Sequence, residues 1–272
     1  MTPKWLIEDF NRDEHVSKLI EVLEKKRVEY HIIEYLPFES GSYNHFSDDE
    51  CIVFYGSLNL ARQLRKQKKW IPGVWCDLQA FKCTSYYPFV GKFLLNSNYV
   101  FLPVKELGRR KEWIYENFGI DDCVFIRPNS GFKTFTGKVV QKEFFDIDYE
   151  WMVEFSDDDS LAVISLPQKI TQEWRFIVAD KLVITGSTYK FEAEKLIKEE
   201  VKIPNDAWNY AQEIANENWQ PERMYVLDIC KSNGLYLLEA NSFSCSGFYD
   251  CNSDIIVEEA NRIAIEEWEE YH

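Results

Sequence analysis

Two acids and an amide in the C-terminal third of this chain have the types and spacing of a divalent-cation site. They lie in two apolar runs, Val226-Leu227-Asp228-Ile229 and Leu237-Leu238-Glu239-Ala240-Asn241, on either side of Asn233-Gly234. Asn-Gly between such runs is a strong signal for a two-residue β-hairpin turn. With those residues at the tip, Ser232 faces Leu235. Counting back along the ladder, Asp228 then faces Glu239. Side chains alternate along a strand, so Asn241 shares the face of Glu239. Two carboxylates directly opposed weaken a sheet unless a cation lies between them. A set of hard oxygen donors suits Mg²⁺, which takes one or two carboxylates and completes its shell with water and substrate phosphates.

Three further stretches carry groups that could act with such an ion. Phe125-Ile126-Arg127-Pro128 ends a strand in a cation, and the loop after it, Asn129 to Gly137, leads through Lys133 to Lys138. Loop amides and cationic side chains of this kind can cover a polyphosphate. In Val163-Ile164-Ser165-Leu166-Pro167 the backbone at a strand end can pair with the edge of a purine, although core packing explains the run equally well. In Gln172-Glu173-Trp174-Arg175-Phe176-Ile177-Val178, period-two alternation puts Glu173 and Arg175 on one face and Trp174, Phe176 and Val178 on the other. An Arg held on a strand can offset the charge growing on a transferring phosphoryl group. Taken alone, Glu173 and Arg175 also read as a surface ion pair.

These groups must be positioned by a chain of 272 residues, which is 46% hydrophobic and 16% aromatic and long enough for a large core. The first third alternates strands and helices. Trp5-Leu6-Ile7 is a strand, Val16, Leu19, Ile20 and Leu23 recur at helical spacing, and Tyr30 to Tyr35 is a second strand. Cys51 to Ser57 is a third strand, before a helix from Leu58 to about Lys68. This pattern implies a small parallel sheet. Gly56-Ser57 reads as an ordinary strand-to-helix turn more readily than as an anion site. Residues Ile71 to Asn98, rich in aromatics, Pro and Gly, read as irregular. A helix is expected from Val104 to Phe118, and a strand-rich region from Cys123 onward. Within that region, strands at Gln172–Val178 and Leu182–Thr185 pair through Asp180-Lys181. Helices follow at Pro204 to about Asn216 and Ser253 to Trp268.

Acidic residues outnumber basic ones 46 to 31, a net charge of −15, which argues against a general nucleic-acid binder. No apolar run reaches the length of a membrane span, and the N-terminal residues lack the core of a signal peptide. Seven scattered cysteines without a Cys-x-x-Cys pair fit reduced thiols in a cytoplasm. Any phosphates bound by so acidic a chain must be met by locally gathered cations.

The order of these elements resembles the ATP-grasp superfamily: a strand-end cation and loop, a hinge strand, a Glu-x-Arg strand, then Asp228 followed by Glu239 and Asn241. The phrases Phe125-Ile126-Arg127-Pro128, Lys133-Thr134-Phe135-Thr136-Gly137 and Glu173-Trp174-Arg175 are similar to a small RimK-like clade of bacteria and their phages. The resemblance runs from about Tyr86 to Tyr249. It implies an α/β (α+β) ATP-grasp fold with a small N-terminal Rossmann-like domain over residues 1–95. The ATP-grasp domain proper would occupy 96–272, as two subdomains divided near 162. It implies Asp228, Glu239 and Asn241 as Mg²⁺ ligands, Arg175 as the phosphate-contacting catalytic arginine, and Ser165 and Leu166 at the adenine hinge. Arg127, Lys133, Lys138 and Glu173 are the other expected ATP-binding positions. Arg127 departs from the family, which usually has lysine there, and the loop that follows contains only Gly131 and Gly137 where relatives are richer in glycine.

What the resemblance implies for function is an ATP- and Mg²⁺-dependent carboxylate–amine ligase working through an acyl phosphate. Its substrates would be a small-molecule or peptide carboxylate and an amine. Alternatives are a kinase-like phosphotransferase on the same ATP site, or a degenerate nucleotide-binding protein. No nucleic-acid or membrane partner is expected, and the expected location is cytoplasmic. Thr188 to Lys190, Ser242 to Tyr249 and Tyr86 to Phe89 are candidate walls of the substrate end.

Overall fold

Trp5, Leu6 and Ile7 are buried in strand β1 (Lys4–Glu8), which lies at the heart of a parallel sheet. The computed structural model describes residues 2–8, 14–34, 45–67, 70–191 and 202–272, so the expected strand end at Tyr35 and helix end at Lys68 lie outside the described residues. Helix α1 (Glu14–Lys26) leads to β2 (Tyr30–Ile33), and β3 (Cys51–Tyr55) leads through α2 (Leu58–Gln67) to β4 (Ile71–Gly73). The sheet order is β2-β1-β3-β4, and every pair is parallel. β3 is buried at all five positions, as an unbroken apolar strand covered on both faces should be. One face packs on α1 and on the C-terminal helix at Ser253–Tyr271, through Ile7, Leu19, Val53, Ile256 and Ala260. The other packs on α2 through Leu6, Phe54, Leu60 and Leu64.

The segment expected to be irregular contains helix α3 (Cys83–Val90). Its aromatics and Pro88 hide it from local propensity. Tertiary partners hold it instead. Asn129 accepts hydrogen bonds from the first turn, Cys83 N–H on its carbonyl at 3.0 Å and Thr84 N–H on its Oδ1 at 2.8 Å. Tyr86 and Tyr87 are buried in the core rather than walling a cavity. β5 (Tyr99–Pro103) follows. The single helix expected at Val104–Phe118 is instead two 3₁₀ turns and then α4 (Lys111–Phe118).

β6 (Cys123–Pro128), β7 (Lys138–Gln141) and β8 (Leu161–Ser165) join β5 in an antiparallel sheet of order β5-β8-β6-β7. Helix α5 (Phe145–Glu154), within the region read as strand-rich, packs with α4 beneath this sheet through Phe145 and Met152 against Ile126, Val140 and Ile164. Arg127 alternates with Ile126 and so faces the other way.

β9 (Gln172–Ala179), β10 (Leu182–Phe191), β11 (Met224–Lys231) and β12 (Leu235–Ser242) form the third sheet, order β10-β9-β11-β12, fully antiparallel. Helix α6 (Asn205–Ala215) covers the face carrying Trp174, Phe176 and Leu227. The C-terminal helix, α7 (Ser253–Tyr271), covers Ile177, Ala179 and Val226 on the other face. Among the described residues, no helix is long and apolar enough to cross a membrane, and none of the seven cysteines is in a disulfide.

The expected hairpin register needs a correction at its tip. Lys231, not Ser232, faces Leu235, so the loop has three residues, Ser232-Asn233-Gly234, closed by Ser232 N–H to Gly234 C=O at 3.0 Å. The ladder then skips Leu238: Ile229 pairs with Leu237, and Asp228 with Glu239. The bulge absorbs the residue that the longer loop displaced.

Candidate active site

One rung across the third sheet carries the site. Ser187 on β10 faces Arg175 on β9, Arg175 faces Asp228 on β11, and Asp228 faces Glu239 on β12. All four side chains therefore project from one face. On that face Ile177 and Val226, two residues along, are already in the core under α7. The charged rung lies where the apolar cover ends.

Asp228 is fully buried and Arg175 nearly so. The guanidinium grips the carboxylate in a fork, Nε to Oδ1 at 2.8 Å and Nη2 to Oδ2 at 2.7 Å, and Nη1 donates to the Gly247 carbonyl at 2.9 Å. Tyr249, in a left-handed backbone conformation (φ 50°), places its ring 5.0 Å from the same guanidinium. Burial pushes the Asp228 carboxyl above its ordinary value, against the pull of Arg175.

Glu239 is held by the second sheet. Arg127 donates to its Oε2 at 3.0 Å and Lys133 to its Oε1 at 3.1 Å. Arg127 also donates to the carbonyl of Leu238, the residue skipped in the register, at 3.4 Å. Burial alone would raise the Glu239 carboxyl, but Arg127 and Lys133 outweigh it and hold it down to about 2. Asn241 joins the two halves, its Nδ2 lying 3.0 Å from both Asp228 Oδ2 and Glu239 Oε1.

Close packing fixes the Arg127 loop. A Cβ on Gly137 would lie 2.9 Å from Arg127 Cβ, and one on Gly131 would lie 3.1 Å from Phe81 Cβ. Between the two sheets is a cavity of about 260 Å³, lined by Arg127, Lys133, Arg175, Asn241, Ser246 and Tyr249, among others.

The structure thus brings together Arg127, Lys133, Arg175, Asp228, Glu239 and Asn241. Glu173 is buried on the face of Arg175, two residues before it. Its neighbour Cys230 has a thiol pushed up to about 12 by burial and by the carboxylates of Glu173 and Asp228. Ser165 pairs with Phe125 and so shares the face of Arg127. Its hydroxyl is buried with no hydrogen-bond partner among the described residues. Leu166, beside it, is half-buried just past the end of β8.

Lys138 is not brought in: it faces Ile126, on the side of the sheet away from Arg127, and pairs with Asp148 of α5. The Gly56-Ser57 turn is also not open to a ligand, since Glu8 Oε2 already accepts from the Ser57 N–H at 2.7 Å. Of the candidate walls, Ser242, Cys245, Ser246, Gly247 and Tyr249 line the cavity. The side chains of Tyr189 and Lys190 lie outside the described residues. Leu58, Leu78 and Phe81 also line it, although no local pattern marks them.

The donor set fits a hard divalent cation. Two carboxylates and an amide converge on one face, with the Asn241 NH₂ group donating to both acids, and Asp228, Glu239 and Asn241 would be the residues to hold such an ion. Turning that amide over would present Oδ1 instead. Among the described residues, no group of three or more His, Cys, Asp or Glu side chains forms a protein-only cage. Such an ion would need oxygens from its substrate as well.

A family model for an ATP-grasp domain, the second family of its clade, matches residues 110–258, more than half of the chain. The chain belongs to this ATP-grasp family. Solved ATP-grasp structures share its fold along nearly the whole length. D-cycloserine synthetase DcsG superposes with a TM-score of 0.62 at 8% identity, covering 96% of this chain and 99% of that one. D-alanine–D-alanine ligase from Bacillus anthracis, complexed with ATP, gives 0.58 at 14%, covering 98% and 100%. A RimK domain ATP-grasp protein from Sphaerobacter thermophilus gives 0.58 at 11%, covering 98% of each chain. No curated protein matches in sequence.

Proposed function

We propose that this protein is an ATP-dependent ligase that joins a carboxylate to an amine through an acyl phosphate. The observation that carries the reading is the convergence of three cations, each held by Asp228 or Glu239, on one cavity between two sheets, in a chain whose net charge is −15. Arg127, Lys133 and Arg175 all line that cavity, and cations gathered at one point in so acidic a chain suit an anionic ligand. The fold shared with a D-alanine–D-alanine ligase complexed with ATP supports ligation over other uses of the triphosphate.

The chemistry follows from these side chains. A carboxylate resists attack by an amine because its leaving group would be oxide or hydroxide. Transfer of the γ-phosphoryl group to a carboxylate oxygen breaks the bond to ADP and makes phosphate the leaving group. The amine then attacks the acyl carbon, phosphate departs, and the amine loses a proton. Arg127 and Lys133, now on Glu239, can turn to the incoming phosphates, which releases Glu239 as a ligand. Arg175 lies beside the cavity, held rigid by Asp228 and Gly247, to offset charge on the phosphoryl group in flight. Asp228, Glu239 and Asn241 would hold Mg²⁺, which when bound neutralises phosphate oxygens. The unsatisfied Ser165 hydroxyl and the Leu166 backbone would meet the adenine. The protein supplies position and charge rather than a nucleophile.

The test is phosphate release from MgATP across panels of acids and amines. ADP and phosphate should appear only when both partners are present, and ¹⁸O in the carboxylate should pass to the released phosphate. A stable phosphorylated acceptor formed without amine would replace this reading with phosphotransfer. No nucleotide binding at all would remove both.

A further inference from the structure

Helix α5 has two apolar faces, and the fold uses one. Phe145 and Met152 are buried beneath the second sheet. Ile147 and Trp151 on the outer side, with Phe144 at the N-cap and Phe155 at the C-cap, recur at i, i+3, i+7 and i+11, the spacing of a single helical stripe. Their relative exposures are 50%, 60%, 59% and 51%. The rings of Trp151 and Phe155 stack with centroids 5.3 Å apart. Isolated exposed apolar residues are ordinary, but a continuous row of four large ones marks an interaction surface.

A second row runs beside the first. Glu143, Glu150 and Glu154 stand one position before Phe144, Trp151 and Phe155, and all three are exposed. None of the three has an ion pair among the described residues. At the start of the rows is a depression of about 510 Å³ lined by Glu112, Asp121, Asp122 and Glu143 with Lys111 and Lys142. Its two lysines are already taken, Lys142 by Glu112 at 2.6 Å and Lys111 by Asp146 at 3.0 Å. An aromatic stripe, an unpaired acidic row and an acidic depression are therefore continuous.

We propose that the outer face of α5 docks a cationic amphipathic helix of a partner protein. The partner's apolar residues would lie along Phe144, Ile147, Trp151 and Phe155, with Lys or Arg side chains along Glu143, Glu150 and Glu154 and in the depression. Helix-on-helix docking of this kind is read as anchors at i, i+3 or i+4, and i+7. Charge decides against the other occupants. Two copies packed stripe to stripe with antiparallel α5 helices would set each acidic row against its own duplicate, on chains of charge −15 each. Anionic lipid would be repelled by the same row. Arg127 lies on the opposite side of this sheet from α5, so docking leaves the cavity open.

The test uses the full chain and a fluorescein-labelled helical Leu/Lys peptide, with a Leu/Glu peptide of the same pattern as control. The Leu/Lys peptide should bind in a salt-dependent way, quench Trp151 fluorescence and outbind the Leu/Glu peptide. Trp151→Ser with Phe155→Ser should weaken binding by about tenfold or more, and Glu143→Lys with Glu150→Lys and Glu154→Lys by a similar factor. All are surface changes, so circular dichroism and nucleotide binding should match the parent. Variants that bind the Leu/Lys peptide within about twofold of the parent would overturn the proposal, because general acidity would then explain the binding. A concentration-dependent dimer, or binding to phosphatidylcholine vesicles, that Trp151→Ser abolishes would overturn it in favour of a second copy or a lipid surface.

Discussion

Asp228 faces Glu239 because Leu238 stands outside the ladder. With a three-residue loop and no bulge, Asp228 would oppose Leu238 instead. The skipped residue restores the carboxylate pair, and its carbonyl accepts from Arg127. Bulge, pair and cation are one arrangement.

Asp228 is a structural as well as a chemical residue. Asp228→Ala removes the carboxylate that the buried Arg175 guanidinium grips in a fork, and loss of one member of a buried pair costs about 3–5 kcal/mol. Urea unfolding should show that loss, and Arg175→Met in the same chain should recover most of it. Unfolding of Asp228→Ala within about 1 kcal/mol of the parent would mean that water, not the pair, satisfies Arg175.

The two lysines of the loop should separate. Lys133→Ala removes a cation from the cavity and should weaken ATP binding by about tenfold, the value of one charge-assisted contact. Lys138→Ala removes an ion pair with Asp148 on the far side of the sheet and should leave ATP binding within about twofold. Calorimetric titration of both variants checks this, and equal effects would place Lys138 on the phosphates after all.

Acid should reveal Glu239. Its carboxyl is held down to about 2 in the folded protein against an ordinary 4.5. A group with a lowered folded value contributes stability that is full above the unfolded value and is lost as pH falls toward the folded one. Between pH 5 and pH 2 the parent should therefore lose stability that Glu239→Gln does not have to lose. The two unfolding curves against pH should converge as pH falls. Parallel curves would mean that Arg127 and Lys133 do not perturb Glu239.

Gly137 is expected to tolerate no side chain. The added Cβ of Gly137→Ala meets Arg127 Cβ at 2.9 Å and the Phe125 ring at 3.3 Å. Moving Arg127 should cost about 1–3 kcal/mol and weaken ATP binding along with it. A variant with normal stability and normal ATP affinity would show that the loop has room.

Substituting Arg175 by Lys keeps the charge and loses the fork. We expect kcat to fall by about 10²-fold, as for a lost transition-state donor, with ATP KM changed by less than about threefold. The reverse split would put Arg175 in ground-state binding.

Much of the architecture was legible along the chain because it depends on local pattern. Unbroken apolar runs marked β3 and β8, helical spacing marked α1, α6 and α7, and alternation placed Arg175 on the face opposite Trp174 and Phe176. α3 and α5 were not legible. The first turn of α3 is held by Asn129 from the loop after β6, and the two apolar faces of α5 blur its helical period.

The candidate site divides the same way. The residue types and order of Arg127, Arg175, Asp228, Glu239 and Asn241 are properties of the sequence, because strand periodicity and motif spacing are written in it. Which lysine joins them, that Glu239 meets its acid partner across a bulge, and that Tyr249 covers Arg175 were decided only by the tertiary structure. Those relationships depend on how two sheets and a loop pack against one another, and contacts between distant segments leave no local period to read.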